Sequence, residues 1–279
     1  MRALILGSKG QLGGAFADRF KKNGWDYAAA DVDVLDISDR AAVMAALMNY
    51  KPGLVINCAA YNLVDKAETE QAKAYAVNAE GPRHLAFASE KLEFKLVHFG
   101  TDYVFDGAKG APYTEADSPA PLNVYGASKL KGEDCALAAP GGLVLRLSWV
   151  FGRGSQNFIH KLRGWAQNPG PLKISSDEVS APTGVEDIVD VTLSALGRGL
   201  FGHWHLTNTG ACSRLDWAKL ILKESGVAKE LLPASMADFN LPARRPGYSA
   251  MANAALCGEL GLKIPSWQDA TAKFIKENP

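Results

Sequence analysis

Tyr125 and Lys129 stand four residues apart in the run NVYGASK, a spacing that puts both side chains on one face of a helix. An ammonium so placed sits near a phenol and favours its phenolate. A free tyrosine titrates near pH 10, and bringing it down by about 3 units takes roughly 4 kcal/mol of differential electrostatics. Such a pair is equipment for acid–base catalysis. It also arises by chance, so a second group must converge on it. Thr101 offers a hydroxyl at the C-terminal end of the apolar run KLVHFG, and the helix expected from about Asn123, after Pro119 and Pro121, leaves the same sheet edge. Ligands of open parallel sheets collect at that edge. Thr101, Tyr125 and Lys129 are therefore expected to converge as the catalytic set.

A glycine loop, Gly7-Ser8-Lys9-Gly10-Gln11-Leu12-Gly13, directly follows the strand-like ALIL at 3–6 and opens a helical run. Glycines there permit a tight turn and let the backbone approach a pyrophosphate at the positive end of the helix dipole. The spacing is GxxGxxG rather than GxGxxG, and only its place between strand and helix separates it from an ordinary glycine-rich turn. Asp31, 24 residues after Gly7, ends the second strand, where a carboxylate accepts from ribose hydroxyls and repels a 2′-phosphate. With Val32 after it instead of an arginine, NADH is favoured over NADPH, although Lys9 offers a partner for that phosphate. Asp36 and Ile37 are candidates to flank an adenine; a helix N-cap is the competing reading of LDISD at 35–39.

These groups need a scaffold that brings several strand ends together. Short apolar runs at 3–6, 27–30, 54–60, 95–100 and 143–151 alternate with helical runs over 11–23, 40–50, about 72–90 and about 124–137. Strand–helix alternation at this spacing implies parallel strands with crossover helices. The expected fold is α/β, a Rossmann-type doubly wound parallel sheet with a smaller, discontinuous C-terminal substrate domain. Residues 1–148 and 185–208 are assigned to the dinucleotide-binding domain, because a helix at 185–196 and a strand at 203–208 are expected to return to the sheet. Residues 149–184 and 209–279 are left for the substrate domain.

Composition narrows the partners. In 279 residues, 30 Lys plus Arg balance 30 Asp plus Glu, so the basic excess that nucleic acid or an anionic membrane demands is missing. With 47% apolar and 22% charged residues the chain can bury a sizeable core. The four cysteines have no CxxC spacing, arguing against a disulfide framework or thiolate metal site. The N-terminal apolar run is too short for a signal-peptide core and no stretch is long enough for a membrane span. A cytoplasmic protein is expected.

Taken in order, GSKGQLG at 7–13, VINCAAYNLVDKAE at 55–68, Asn78, GTDYVFDG at 100–107, PLNVYGASKLKGE at 121–133, LRLSWVFG at 145–152, SAPTG at 180–184 and ARRPGYSAM at 243–251 cover nearly the whole chain. This series of blocks resembles the extended short-chain dehydrogenase/reductases, and specifically the dTDP-4-dehydrorhamnose reductase family. The resemblance implies reduction of the C4 ketone of dTDP-4-dehydro-L-rhamnose to dTDP-L-rhamnose with NADPH or NADH. It implies Tyr125 as proton donor, Lys129 as the holder of the nicotinamide ribose and Thr101 as a hydrogen-bond donor to the ketone oxygen. Gly10, Gln11 and Leu12 would approach the pyrophosphate, Ala59, Ala60 and Tyr61 would line the cofactor, and Asp102 and Trp149 would contact the sugar. Arg244 and Arg245 are candidates for the substrate's pyrophosphate, since guanidinium forks suit phosphate oxygens.

Three departures from the family pattern stand out. Ala15 replaces a glutamate that helps bind Mg²⁺ at a dimer contact in some members, so no metal is expected and a homodimer is left open. Gly100 stands where Ser is frequent. The run DQ-x-G-x-PT reads Asp177-Glu178-Val179-Ser180-Ala181-Pro182-Thr183. His203 and His205 lack a third ligand nearby and read as structural. Asn78 is either near the site or a helix-packing residue. Two alternatives to the leading function are a sibling sugar-nucleotide reductase or epimerase using another nucleotide, and a non-catalytic, cofactor-binding regulatory subunit of the same fold.

Overall fold

The computed structural model describes residues 2–278; residues 1 and 279 of the ranges above lie outside it. In chain order the strands are β1 (Ala3–Leu6), β2 (Tyr27–Ala30), β3 (Leu54–Asn57), β4 (Lys95–Thr101), β5 (Leu143–Leu147), β6 (Val150–Phe151), β7 (Leu172–Ser175), β8 (Val179–Ser180), β9 (Thr183–Gly184), β10 (Gly202–His205), β11 (Cys212–Ser213) and β12 (Leu231–Ala234). The helices are α1 (Gln11–Lys22), α2 (Arg40–Tyr50), α3 (Val64–Ala67), α4 (Gln71–Tyr75), α5 (Gly81–Leu92), α6 (Val124–Leu137), α7 (Phe158–Ala166), α8 (Val185–Arg198), α9 (Arg214–Glu224), α10 (Ala254–Leu260) and α11 (Trp267–Glu277).

Six parallel strands form the central sheet in the order β10-β5-β4-β3-β1-β2. Strands covered on both faces must be apolar throughout, and ALIL of β1 shows the division. Ala3 and Ile5 face a core completed by Phe16 and Phe20 of α1 and by α8. Leu4 and Leu6 face the opposite core, made with Val43 and Leu47 of α2 and Leu85 of α5. Helix starts follow local chemistry: Asp39 caps α2 by accepting from the Ala41 and Ala42 amides at 2.9 and 3.0 Å. The chain order reverses at β1, between β3 and β2, which opens a crevice at the strand C-termini.

The second unit has its own core of Phe151, Ile159, Leu162, Trp217, Ile221 and Trp267. Its strands pair as β11–β8, β12–β7 and β6–β9. Two expected elements are interrupted. The strand expected over 143–151 breaks at Ser148-Trp149, where Trp149 takes φ +39 and the chain leaves the sheet to begin β6. The stretch 254–264, assigned by sequence to the substrate domain, packs Leu256, Leu260 and Ile264 into the core of the main sheet, because α10 lies beside α8 and β10. The helical run at 72–90 is also split, with a π-helical turn over Ala76–Glu80 between α4 and α5. Among the described residues no helix is long and apolar enough to cross a membrane.

Candidate active site

The expected catalytic set meets at the C-terminal end of β4. Thr101 is its last residue, and the threonine hydroxyl accepts from the Tyr103 amide at 3.2 Å. Helix α6 starts at Val124 because Asn123 caps it, accepting from the Gly126 amide at 2.7 Å, while the Asn123 amide donates to the Arg244 carbonyl at 2.8 Å. Gly126 lets the helix lie on the strand end, since any Cβ there would overlap the Tyr103 carbonyl. Loss of solvent pushes the Tyr125 phenol up to about 12; the hydrogen-bonding Thr101 hydroxyl opposes this, and the charges of Asp102 and Glu133 add to it. Burial pulls Lys129 down to about 8, against Glu133 and Cys58. Its ammonium donates to the Phe99 carbonyl at 2.6 Å, so it faces the β4 backbone and does not bring the phenol down as the spacing suggested.

Two residues behind this set carry its geometry. Asn78, in the π-helical turn, accepts from the Tyr61 amide at 2.8 Å and donates to the Tyr61 carbonyl at 3.1 Å and the Ser128 hydroxyl at 3.0 Å. It thereby ties the β3 loop to α6, and Gly132 is small because a Cβ would overlap the Asn78 carbonyl. Glu133 escaped sequence reasoning as a site residue, although four residues after Lys129 it shares that helix face. It is 1% exposed, accepts from Arg146 Nε at 2.8 Å and from the Thr101 amide at 3.3 Å. A Cβ at Gly100 would overlap its carboxylate, which accounts for glycine there.

The glycine loop forms a cradle that only glycine allows at two points. Gly7 has φ +70 and its Cβ would come within 2.6 Å of the Ala59 amide nitrogen, while a Cβ on Gly13 would overlap the Gly7 carbonyl. Gly10 caps α1 without a side chain, and the first amides of a helix so capped can meet an anion. The residues fit a dinucleotide pyrophosphate. A cleft of about 270 Å³ flanks the loop, lined by Gly10, Gln11, Gly154 and Ser155, and Asn157 Nδ2 donates to Gln11 Oε1 across it at 3.0 Å. The Asp31 carboxylate accepts from the Lys9 and Val32 amides, each at 2.8 Å. Lys9 Nζ is held by Asp33 at 2.7 Å. Asp36 is exposed and bound to Ser38, whereas Ile37 is buried against Gly81 and does not present its side chain to the crevice. Ala59 and Ala60 are half-buried in the loop after β3; Tyr61 is buried, its hydroxyl donating to Glu70 at 3.0 Å.

Where the second unit meets the end of β4, two groups expected to face the substrate are tied to protein partners. Asp102 is 3% exposed and accepts from the Ser180 and Ser249 hydroxyls at 2.9 and 2.5 Å. It therefore pins two segments of the second unit, and burial pushes it up to about 6. Arg245 binds Asp65 through two nitrogens at 3.0 and 2.8 Å, which takes the fork proposed for a pyrophosphate; the partner lies 180 residues away in sequence and could not be foreseen. Arg244 is exposed. His203 and His205 meet backbone carbonyls of Glu115 and Tyr113. Sequence reasoning named Glu178 only as a departure and missed Arg214. These two pair through 3.2 Å contacts, and Arg214 lies 3.4 Å over the Trp149 ring.

The RmlD substrate binding domain family model matches residues 1–278. A dTDP-4-dehydrorhamnose reductase of Mycobacterium tuberculosis is 38% identical over 98% of this chain and 92% of its own. The spore coat polysaccharide biosynthesis protein SpsK of Bacillus subtilis is 31% identical over 99% of this chain and 97% of its own. The crystal structure of the Bacillus anthracis dTDP-4-dehydrorhamnose reductase in complex with NADP superposes with a TM-score of 0.96 at 33% identity, covering 99% of each chain. With the glycine cradle and the Thr101, Tyr125 and Lys129 set at one sheet edge, the chain belongs to the dTDP-4-dehydrorhamnose reductase family of nicotinamide-dependent oxidoreductases.

Proposed function

We propose that the protein reduces the C4 ketone of dTDP-4-dehydro-L-rhamnose to dTDP-L-rhamnose, with Tyr125 as the proton donor. The observation that carries this reading is the Tyr125 phenol set beside the Thr101 hydroxyl, with Lys129 reaching the Phe99 carbonyl from the same helix, at the edge where the glycine cradle opens. A bound nicotinamide supplies the hydride to the carbonyl carbon. Charge then develops on the ketone oxygen, and two hydroxyl donors face it. Thr101 steadies the growing alkoxide and Tyr125 delivers its proton. Lys129 would move its ammonium from the Phe99 carbonyl to the nicotinamide ribose, from where its charge stabilises the tyrosinate left behind. Trp149 offers an apolar platform for the deoxysugar.

We infer that NADH serves at least as well as NADPH. Asp31 and Asp33 put two carboxylates at the end of β2, and Asp33 engages the Lys9 ammonium that would otherwise meet a 2′-phosphate. The relative solved with NADP makes NADPH the necessary comparison in any assay.

Purified protein mixed with dTDP-4-dehydro-L-rhamnose should oxidise NADH and NADPH, and Tyr125→Phe should lower kcat by about 10²–10⁴-fold while leaving cofactor binding in place. Full turnover by Tyr125→Phe would remove the proton-donor role. No oxidation of either cofactor by the wild-type protein would overturn the substrate assignment.

A further inference from the structure

Thr101 and Leu147 are register partners on adjacent strands. Two residues beyond each, at the same edge of the sheet, stands an aromatic side chain: Tyr103 after β4 and Trp149 after β5. Tyr103 is buried and lies edge-on to Tyr125 with ring centres 5.8 Å apart. Trp149 holds a φ of +39, outside the backbone region that a bulky residue ordinarily occupies, so its surroundings must hold it there. Its indole N–H is buried and unpartnered.

One ion pair from the second unit reaches both rings. Glu178, just before β8, accepts from Arg214 Nε and Nη2 at 3.2 Å each, and its Oε1 also receives the Tyr103 hydroxyl at 3.4 Å. Arg214, the first residue of α9, stacks its guanidinium 3.4 Å over Trp149 and 5.0 Å from Phe158. The backbone adds its own tie, with the Arg214 amide donating to the Glu178 carbonyl at 3.0 Å. Exposure of the two side chains is only 7% and 18%, where a forked carboxylate–guanidinium contact is short of competing water and removing one partner strands the other's charge. A flat cation against an indole face also fixes the plane of the ring.

We propose that Glu178 and Arg214 are positioning residues for the sugar-nucleotide site, setting the plane of Trp149 through the stack and the seat of Tyr103, and so of Tyr125, through the carboxylate. This rests on the reading of Tyr125 and Trp149 given above. The pair acts through the aromatic rings and does not itself touch the reacting atoms.

The test uses Glu178→Gln, which installs the residue of the DQ-x-G-x-PT pattern, together with Arg214→Lys, Arg214→Met and the double variant Glu178→Gln/Arg214→Met. Arg214→Met should raise KM for dTDP-4-dehydro-L-rhamnose about tenfold, with kcat reduced much less and KM for the nicotinamide cofactor unchanged. Arg214→Lys, which keeps the charge but loses the flat fork, should also raise it, and Glu178→Gln by about threefold. The double variant should match Arg214→Met alone in sugar-nucleotide KM, since the carboxylate reaches Trp149 through the guanidinium, while its kcat should fall further because the tie of Glu178 to Tyr103 does not pass through Arg214. Trp149 emission, isolated by subtracting the matching Trp149→Phe protein, should shift in each variant and respond less to added dTDP-L-rhamnose. Sugar-nucleotide KM values within twofold of wild type in all three single variants would overturn the proposal, as would a loss of kcat and both KM values in step with thermal stability. The emission titration needs no turnover. If the wild type fails to reduce the substrate while Trp149 still answers to dTDP-L-rhamnose through Arg214, the reaction assignment falls and the positioning role stands. Should the Met variants not fold, Glu178→Gln and Arg214→Lys decide alone.

Discussion

The half of the crevice around the glycine cradle and the half shared with the second unit are built from different materials. At the cradle a single stretch, Gly7 to Gly13, supplies backbone amides and missing side chains, and its critical contacts are with the Ala59 amide and within the loop itself. On the other side the groups are side chains from separate segments: Asp102 and Tyr103 after β4, Trp149 after β5, Glu178 and Ser180 near β8, Arg214 on α9 and Ser249 beyond it. A backbone site tolerates almost no substitution at its closest approaches and little depends on residues elsewhere. A site assembled from side chains divides its geometry over many ties, each replaceable at moderate cost, which leaves room to change the ligand without changing the fold.

Among changes that set the two halves against each other, the largest effect should come from attacking the backbone half. Gly13→Ala places a methyl on the Gly7 carbonyl, an overpacking that costs about 1–3 kcal/mol. Taken from cofactor binding, this is about a 5- to 150-fold weaker affinity. Calorimetric titration with NADH and NADPH, alongside a thermal scan, measures how the cost is divided. Unchanged affinity and stability would erase the contrast between the two halves.

A second effect sits between them, at Lys129. Its pKa is lowered to about 8 from an ordinary 10.5, so the ammonium is lost above pH 8, and kcat/KM should fall about tenfold per unit beyond that point if the charge is required. Glu133 raises this pKa, so Glu133→Gln should move the alkaline limb to lower pH. Stability has the opposite sign. Between about 8 and 10.5 the unfolded chain keeps a lysine proton that the folded chain has released, so the Lys129 contribution to stability rises with pH in that window. A pH–rate profile beside a pH series of denaturation midpoints separates the two, and an alkaline limb unmoved by Glu133→Gln would remove the electrostatic link.

The smallest effect belongs to the surface. Asp33→Asn frees the exposed Lys9 ammonium and should improve kcat/KM with NADPH relative to NADH by a few-fold, because exposed ion pairs are weak. Equal ratios in wild type and variant would show that Lys9 does not reach the 2′ position.

Much of the fold was legible because its determinants are local. Helix α6 occupies the expected span, since proline before it and Asn123 at its cap set its start, and the strand ends that carry Thr101 and Gly7 followed from apolar runs. Other features had no local signature. Trp149 reads as one more residue of an apolar strand, and only the paired neighbours show why the strand stops there. Residues 254–264 look like the rest of a helical tail, yet Leu256 and Leu260 complete the core beside α8. Nothing local marks Asp102 as the carboxylate that two serine hydroxyls from the second unit would reach.

By itself the sequence determined the parallel sheet, the glycine cradle and the spacing of Thr101, Tyr125 and Lys129, because periodicity, glycine and helical offsets act over a few neighbouring residues. The tertiary structure decided which charges are free and which are tied. Arg245 goes to Asp65, Glu178 to Arg214 and Lys129 to a backbone carbonyl. The physical reason is that a charge in a low-dielectric site is defined by its partner, and these partners arrive from segments that only folding brings together.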